Sequence, residues 1–116
     1  MQIRIITEPI PLVEVEELAK DTYTTMIKGV VDIEKAIIAL GGEYHIDANN
    51  KLTEMGSKQP DIWGFNIQFD KIGDEWLQYT SLINIRPAVG NRGMLVKDQR
   101  IQKRMREIIE SLILRP

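Results

Sequence analysis

The sequence predicts a single α+β domain spanning residues 1–116, in the order β-α-β-β-α-β-β-α, with helices packed against a largely antiparallel sheet. Three observations predict it. Residues 62–69 alternate, with Trp63, Phe65, Ile67 and Phe69 on one side and Gly64, Asn66 and Gln68 on the other, as in a strand buried on one face. Residues 98–114 put Ile101, Met105, Ile108, Ile109, Leu112 and Ile113 on one stripe, as in a helix lying on a core. Residues 27–40 are rich in β-branched side chains and are split by Glu34-Lys35 into two strand-length halves.

Ile3, Ile5 and Ile6 open the chain as a short strand that ends near Glu8, where Pro9 and Pro11 break it. Helix formers follow from Leu12 to Thr24, with Glu14, Glu16 and Glu17 suiting the positive end of a helix dipole. The hairpin is read as Ile27–Ile33 and Ala36–Leu40. One long helix is the alternative, because Met26, Val30, Ile33, Ile37 and Leu40 also have helical spacing. Asp32 and Glu34 are read as marking the solvent face or a salt bridge. Gly41-Gly42 ends the element. A short helix runs from Asp47, as N-cap, to Met55, with Gly56 as its stop. After the strand Ile62–Phe69 and a turn over 70–75, Trp76–Arg86 is read as the partner strand, closed by Pro87. A glycine-bearing loop over 88–96 leads to the last helix, capped by Asp98 and running to about Leu114.

At 116 residues a compact chain hides about two-thirds of its unfolded surface, enough for a core without disulfides or a structural metal. The absence of cysteine excludes disulfide staples, thiolate nucleophiles and cysteine-ligated metal centres, and fits a cytoplasmic protein. Residues 1–8 are interrupted too early for a signal-peptide core, and no apolar run approaches a membrane span, so no membrane partner is expected. The net charge is −2, but its distribution is uneven. Acidic residues dominate 8–34, while Arg86, Arg92, Lys97, Arg100, Lys103, Arg104 and Arg106 face only Asp98 over 86–106. Two solvated helices of opposite charge are the plainest explanation. Such polarity also allows a positive binding surface, or a homo-oligomer that joins acidic face to basic face.

Few residues can carry chemistry. His45 is the only histidine. If 43–47 were extended, Glu43, His45 and Asp47 would project to one side, and a carboxylate beside an imidazole can orient a general base or share a divalent metal. The plainer alternative is a helix-start turn in which Asp47 caps and His45 is an ordinary polar residue. No metal-ligand set is assigned, and no cofactor is indicated. Asn66, Asn84 and Arg86 fall on the polar alternation of two neighbouring strands, where a guanidinium among amides suits a carboxylate or phosphate. Asn91 and Arg92 lie in the glycine loop before the last helix, whose free N–H groups can receive an anion. Lys97 and Arg100 oppose the dipole of that helix, a cost that an anion would offset. The Gly90-x-x-Gly93 spacing matches neither a P-loop nor a dinucleotide fingerprint. The aromatics on 63–79 can stack bases, but their alternation assigns them to the core.

Asp32-Ile33-Glu34-Lys35, Gly41-Gly42-Glu43-Tyr44-His45-Ile46-Asp47, Gly56-Ser57-Lys58-Gln59, Asp61-Ile62-Trp63-Gly64-Phe65-Asn66 and Ile83-Asn84-Ile85-Arg86-Pro87, followed by Gly90-Asn91-Arg92, form a combination. It resembles a small prokaryotic family known only as domain of unknown function 5674, from about Val30 to the end. The resemblance implies a prokaryotic origin and supplies no activity, cofactor or catalytic residue.

The expectation that follows is a non-enzymatic binding module. Its anionic ligand, nucleic acid or an acidic protein partner, would be held by Arg86, Arg92, Lys97, Arg100, Lys103 and Arg104. The alternative is a small hydrolase-like enzyme whose pocket gathers Glu43, His45, Asp47, Asn66, Asn84 and Arg86.

Overall fold

Residues 26–41 form an antiparallel hairpin, so the β-branched content decides over the helical spacing. In the computed structural model, which describes residues 2–116, β1 is Ile3–Ile6, β2 is Ile10–Pro11, β3 is Met26–Asp32 and β4 is Ile37–Gly41. β5 is Ile62–Gln68, β6 is Leu77–Gln78 and β7 is Ile113–Leu114. The helices are α1 (Leu12–Ala19), α2 (His45–Glu54) and α3 (Gln99–Leu112).

Five strands make one sheet in the order β1-β4-β3-β5-β6, and every neighbouring pair is antiparallel. β3 lies at its centre, with Val31 opposite Ile38 on one side and Gly29 opposite Phe65 on the other. Gly29 is required there: a Cβ would sit 2.6 Å from the Phe65 ring and 2.7 Å from Leu40. β2 and β7 pair in parallel as a separate two-stranded unit. The fold is α+β, with helices covering both faces of an antiparallel sheet.

Period-two alternation divides the strands between two cores. Ile27, Val31, Ile38, Leu40, Trp63, Phe65 and Ile67 face α1 and α3, where Val15, Ala19, Met105, Ile108, Ile109 and Leu112 complete the larger cluster. Val30, Ala39 and Ile62 face the other way, against Ala48 and Leu52 of α2 and Ile83. The apolar stripe read on the last helix is the buried one, and Asp98 caps it by accepting the Arg100 N–H at 2.9 Å. Among the described residues no helix is long and apolar enough to cross a membrane.

Several boundaries differ from the sequence reading. α1 stops at Ala19 rather than Thr24, because nothing apolar after Ala19 continues its buried face and the Thr22 and Thr24 N–H groups turn back to the Ala19 carbonyl, both at 3.0 Å. Asp32 is fully buried rather than solvent-facing. Its carboxylate accepts the Glu34 and Lys35 N–H groups at 2.9 Å each and the Ser57 hydroxyl at 2.6 Å, and so holds the β3–β4 turn. α2 begins at His45, so residues 43–47 are not extended and Asp47 is not the N-cap. Asp47 sits in the first turn and accepts the Tyr44 N–H at 3.4 Å, as a third-position acid does. α3 ends at Leu112, and Ile113–Leu114 leaves it to pair with β2.

The largest correction concerns 76–86. Trp76 ends a 3-10 turn, and only Leu77–Gln78 pairs with β5. The chain then leaves the sheet in an excursion over 79–97 that contains 3-10 turns at Leu82–Asn84 and Pro87–Val89. Ser81 starts the first of these by accepting the Ile83 N–H at 3.2 Å, a local bond that competes with strand pairing.

Candidate functional site

With β6 so short, the outer edge of the chain from Pro60 through the start of β5 to Gly64 has no strand beside it among the described residues. Two side chains of the excursion stand in for one. The Asn84 amide accepts the Gly64 N–H at 2.8 Å and donates to the Gly64 carbonyl at 3.0 Å, the two bonds that a neighbouring strand residue would make. It also reaches the Met94 carbonyl at 3.1 Å, and it has no solvent exposure. The Arg86 guanidinium donates to the carbonyls of Pro60, at 3.2 Å, and Ile62. Gly64 lets the excursion lie this close, because a Cβ there would be 2.5 Å from Ser81 Cβ.

Asn91 braces the same segment. Its backbone exchanges hydrogen bonds with Arg86 at 2.6 and 3.1 Å. Its buried amide donates to the Asn84 carbonyl at 2.7 Å and accepts the Lys97 N–H at 2.9 Å. Asn84 and Asn91 therefore act first as structural ties, which supply partners for backbone groups that would otherwise be buried unpaired.

These ties leave a cleft of about 540 Å³ between the start of β5, the excursion and the N-terminus of α3, lined by Trp63, Arg86, Asn91, Lys97, Asp98 and Ile101, with Ile33 and Pro60 at its sides. The Arg86 guanidinium lies 4.2 Å from the Trp63 ring centre and is half-buried. Burial pushes its pKa down and the nearby Asp61 pulls it up; a guanidinium stays charged regardless. Among the described residues no carboxylate forms an ion pair with Arg86 or Lys97. Lys97 precedes the α3 N-cap, and Ile101 and Arg104 are three apart on one side of the helix. Arg104 donates to the Ile33 carbonyl at 3.2 Å, at the rim of the cleft. Arg100 is exposed and sits 3.7 Å from Asp98. Arg92 is exposed and does not line the cleft, and Lys103 borders a different groove beside Asp74 and Arg106.

His45 lies elsewhere. It opens α2 over the opposite face of the sheet, and its Nε2 is 2.8 Å from the Phe65 carbonyl, so Nε2 carries the proton. Burial pushes its pKa down, the bond to Phe65 pulls it up, the Lys28 charge pushes it down and the Asn66 amide beside it pulls it up. Asn66 in turn donates to the Thr80 carbonyl at 3.3 Å. His45 and Asn66 thus share a second pocket, without Asn84 or Arg86. Glu43 and Asp47 do not line it: the Glu43 side chain is exposed and Asp47 serves the first turn of α2. Among the described residues no three His, Asp or Glu side chains come together as metal ligands.

The residues expected to converge are therefore divided. Arg86, Asn91 and Lys97 share one cleft, His45 and Asn66 share another, and Asn84 ties the wall between. Sequence reasoning missed Trp63 and Ile101 as cleft residues, because strand alternation and helix periodicity assigned both to the core. A family model described as a protein of unknown function (DUF5674) matches residues 4–112. The chain belongs to that family. Its match spans both clefts and all the structural ties. Comparison with curated proteins and with solved structures found no match.

Proposed function

We propose that this protein is a binding module that takes a phosphate or carboxylate group into the cleft beside the N-terminus of α3. The observation that carries the reading is the Arg86 guanidinium, half-buried on Trp63 and bonded to neutral carbonyls, with no carboxylate ion-paired to it among the described residues. A cation in partly dry surroundings attracts an anion more strongly than one in open water. Its five N–H donors exceed what the two carbonyls take. Lys97 and the unbonded N–H groups of the α3 first turn add to the field, and Arg104 extends the positive charge to the rim of the cleft. A nucleic-acid backbone and an acidic protein segment both bring this chemistry, and a cytoplasmic prokaryotic protein meets both. The hydrolase-like alternative around His45, Asn84 and Arg86 has less support, since Asn84 is taken up by Gly64 and Met94.

The test is anisotropy titration of a labelled mixed-sequence oligonucleotide and of a labelled poly-glutamate peptide, at low and moderate salt. One of the two is expected to bind at low salt and to weaken steeply as salt rises. Lys97→Glu, an exposed change, should weaken that binding about tenfold and lower the salt slope by about one. Absence of binding to either probe at low salt, or indifference to Lys97→Glu, contradicts the reading.

A further inference from the structure

A second cavity, about 320 Å³, opens between the first turn of α2, β3 and the excursion, and it shares no lining residue with the Arg86 cleft. Its rim is apolar and open to solvent: Tyr44, Ile46, Leu82 and Met94 are 62%, 47%, 70% and 42% exposed. Large apolar side chains scattered singly over a surface are ordinary, but four around one opening mark a site that is covered in use. The charge inside has one sign. Lys28 lines the cavity, and its ammonium is 5.0 Å from the Tyr23 ring centre and 5.5 Å from that of Tyr44. No carboxylate among the described residues pairs with it. Among the described residues His45 is the other titratable base in the lining, and no aspartate or glutamate lines the cavity. The first-turn acid Asp47 is directed to the Tyr44 N–H instead.

We infer that this cavity binds a small carboxylic acid with an apolar body, an alkanoate or arylalkanoate, as a site separate from the anion cleft at Arg86. The carboxylate meets Lys28 on the Tyr44 side of the opening, where the tyrosine rings hold the ammonium in place, and the apolar body lies along Ile46, Leu82 and Met94. Charge complementarity selects the anion, because a neutral alcohol leaves Lys28 uncompensated and an amine meets a like charge. Size selects a short chain: at ~30 Å³ per water the cavity holds about ten, which suits a ligand of on the order of ten non-hydrogen atoms.

The test is an amide NMR titration of the full chain with octanoate, octanol and octylamine. Octanoate is expected to shift His45, Asn66, Ile83 and Met94, and to bind about tenfold more tightly than the other two, the order of one charge-assisted contact. Lys28→Met should reduce octanoate to the affinity of octanol. Leu82→Asp, at an exposed position where folding is not at stake, should weaken both. Lys97→Glu, which damages the other cleft, should leave octanoate binding unchanged, so the two readings fail separately. The inference is overturned if octanoate at millimolar concentration shifts none of these signals. It is equally overturned if the shifts gather around Arg86, or if Lys28→Met and Leu82→Asp both bind octanoate like the parent.

Discussion

Asn84→Ala removes the side chain that completes the edge of β5. The Gly64 N–H and the Gly64 carbonyl lose their partners at 2.8 and 3.0 Å, around a residue with no solvent exposure, while the Met94 carbonyl loses one of two donors and keeps the Ser81 N–H at 3.1 Å. The two groups left unpaired cost about 1–3 kcal/mol each, so the loss is about 4 kcal/mol. For a chain of 116 residues, a total stability of about 6–17 kcal/mol makes this a large fraction. In urea, with a slope of about 2 kcal/mol/M, the unfolding midpoint should fall by about 2 M. Hydrogen exchange should accelerate at the Gly64 amide more than at Val30, its cross-strand neighbour. Asn84→Asp, nearly the same size, should be no better, because it turns a carboxylate toward two carbonyl oxygens. A midpoint that falls by less than about 0.5 M in the alanine variant would refute the claim that this amide replaces a strand.

Gly64→Ala should cost about 1–3 kcal/mol by overpacking, since its Cβ would press on Ser81 at 2.5 Å, and near-UV circular dichroism should report the displaced excursion. His45 links stability to pH. Its folded pKa lies below 6.5, so the unfolded chain holds more protons; its contribution is full above 6.5 and is lost as pH falls through the folded value. His45→Gln should flatten that part of a stability–pH profile, and an unchanged profile would contradict the assignment.

The parts of the fold legible in the sequence are those whose pattern is local. Trp63, Phe65 and Ile67 of β5 and the stripe from Met105 to Leu112 face one core, so burial imprints its period directly on the residues. Residues 79–86 read as a strand with Ile83 and Ile85 on one face and Asn84 and Arg86 on the other, yet Leu82 is 70% exposed and Ile85 40%. There the edge of β5 is satisfied by side chains from Asn84 and Arg86, a long-range pairing that leaves no period in the chain. A signal was present: Ser81, Asn84 and Asn91 are residues that bond nearby backbone in preference to joining a ladder. The basic cluster was legible as charge, but which cations reach one cleft depends on how the excursion folds. Arg92 and Lys103 carry the same charge as Lys97 and lie outside it. Glu43 and Asp47 were grouped with His45 by assuming an extended chain, and the first turn of α2 separates them.

The most direct test of the anion cleft follows the indole N–H signal of Trp63 and the amide of Lys97 during titration with a mixed-sequence oligonucleotide at low and moderate salt. Trp63 is 4% exposed and its Nε1 has no hydrogen-bond partner among the described residues, so its signal reports chiefly on Arg86 stacked above it. Shifts of both signals at low salt that fade as salt rises are the predicted result. Signals that stay still at low salt, both with the oligonucleotide and with poly-glutamate, would contradict an anion site at Arg86.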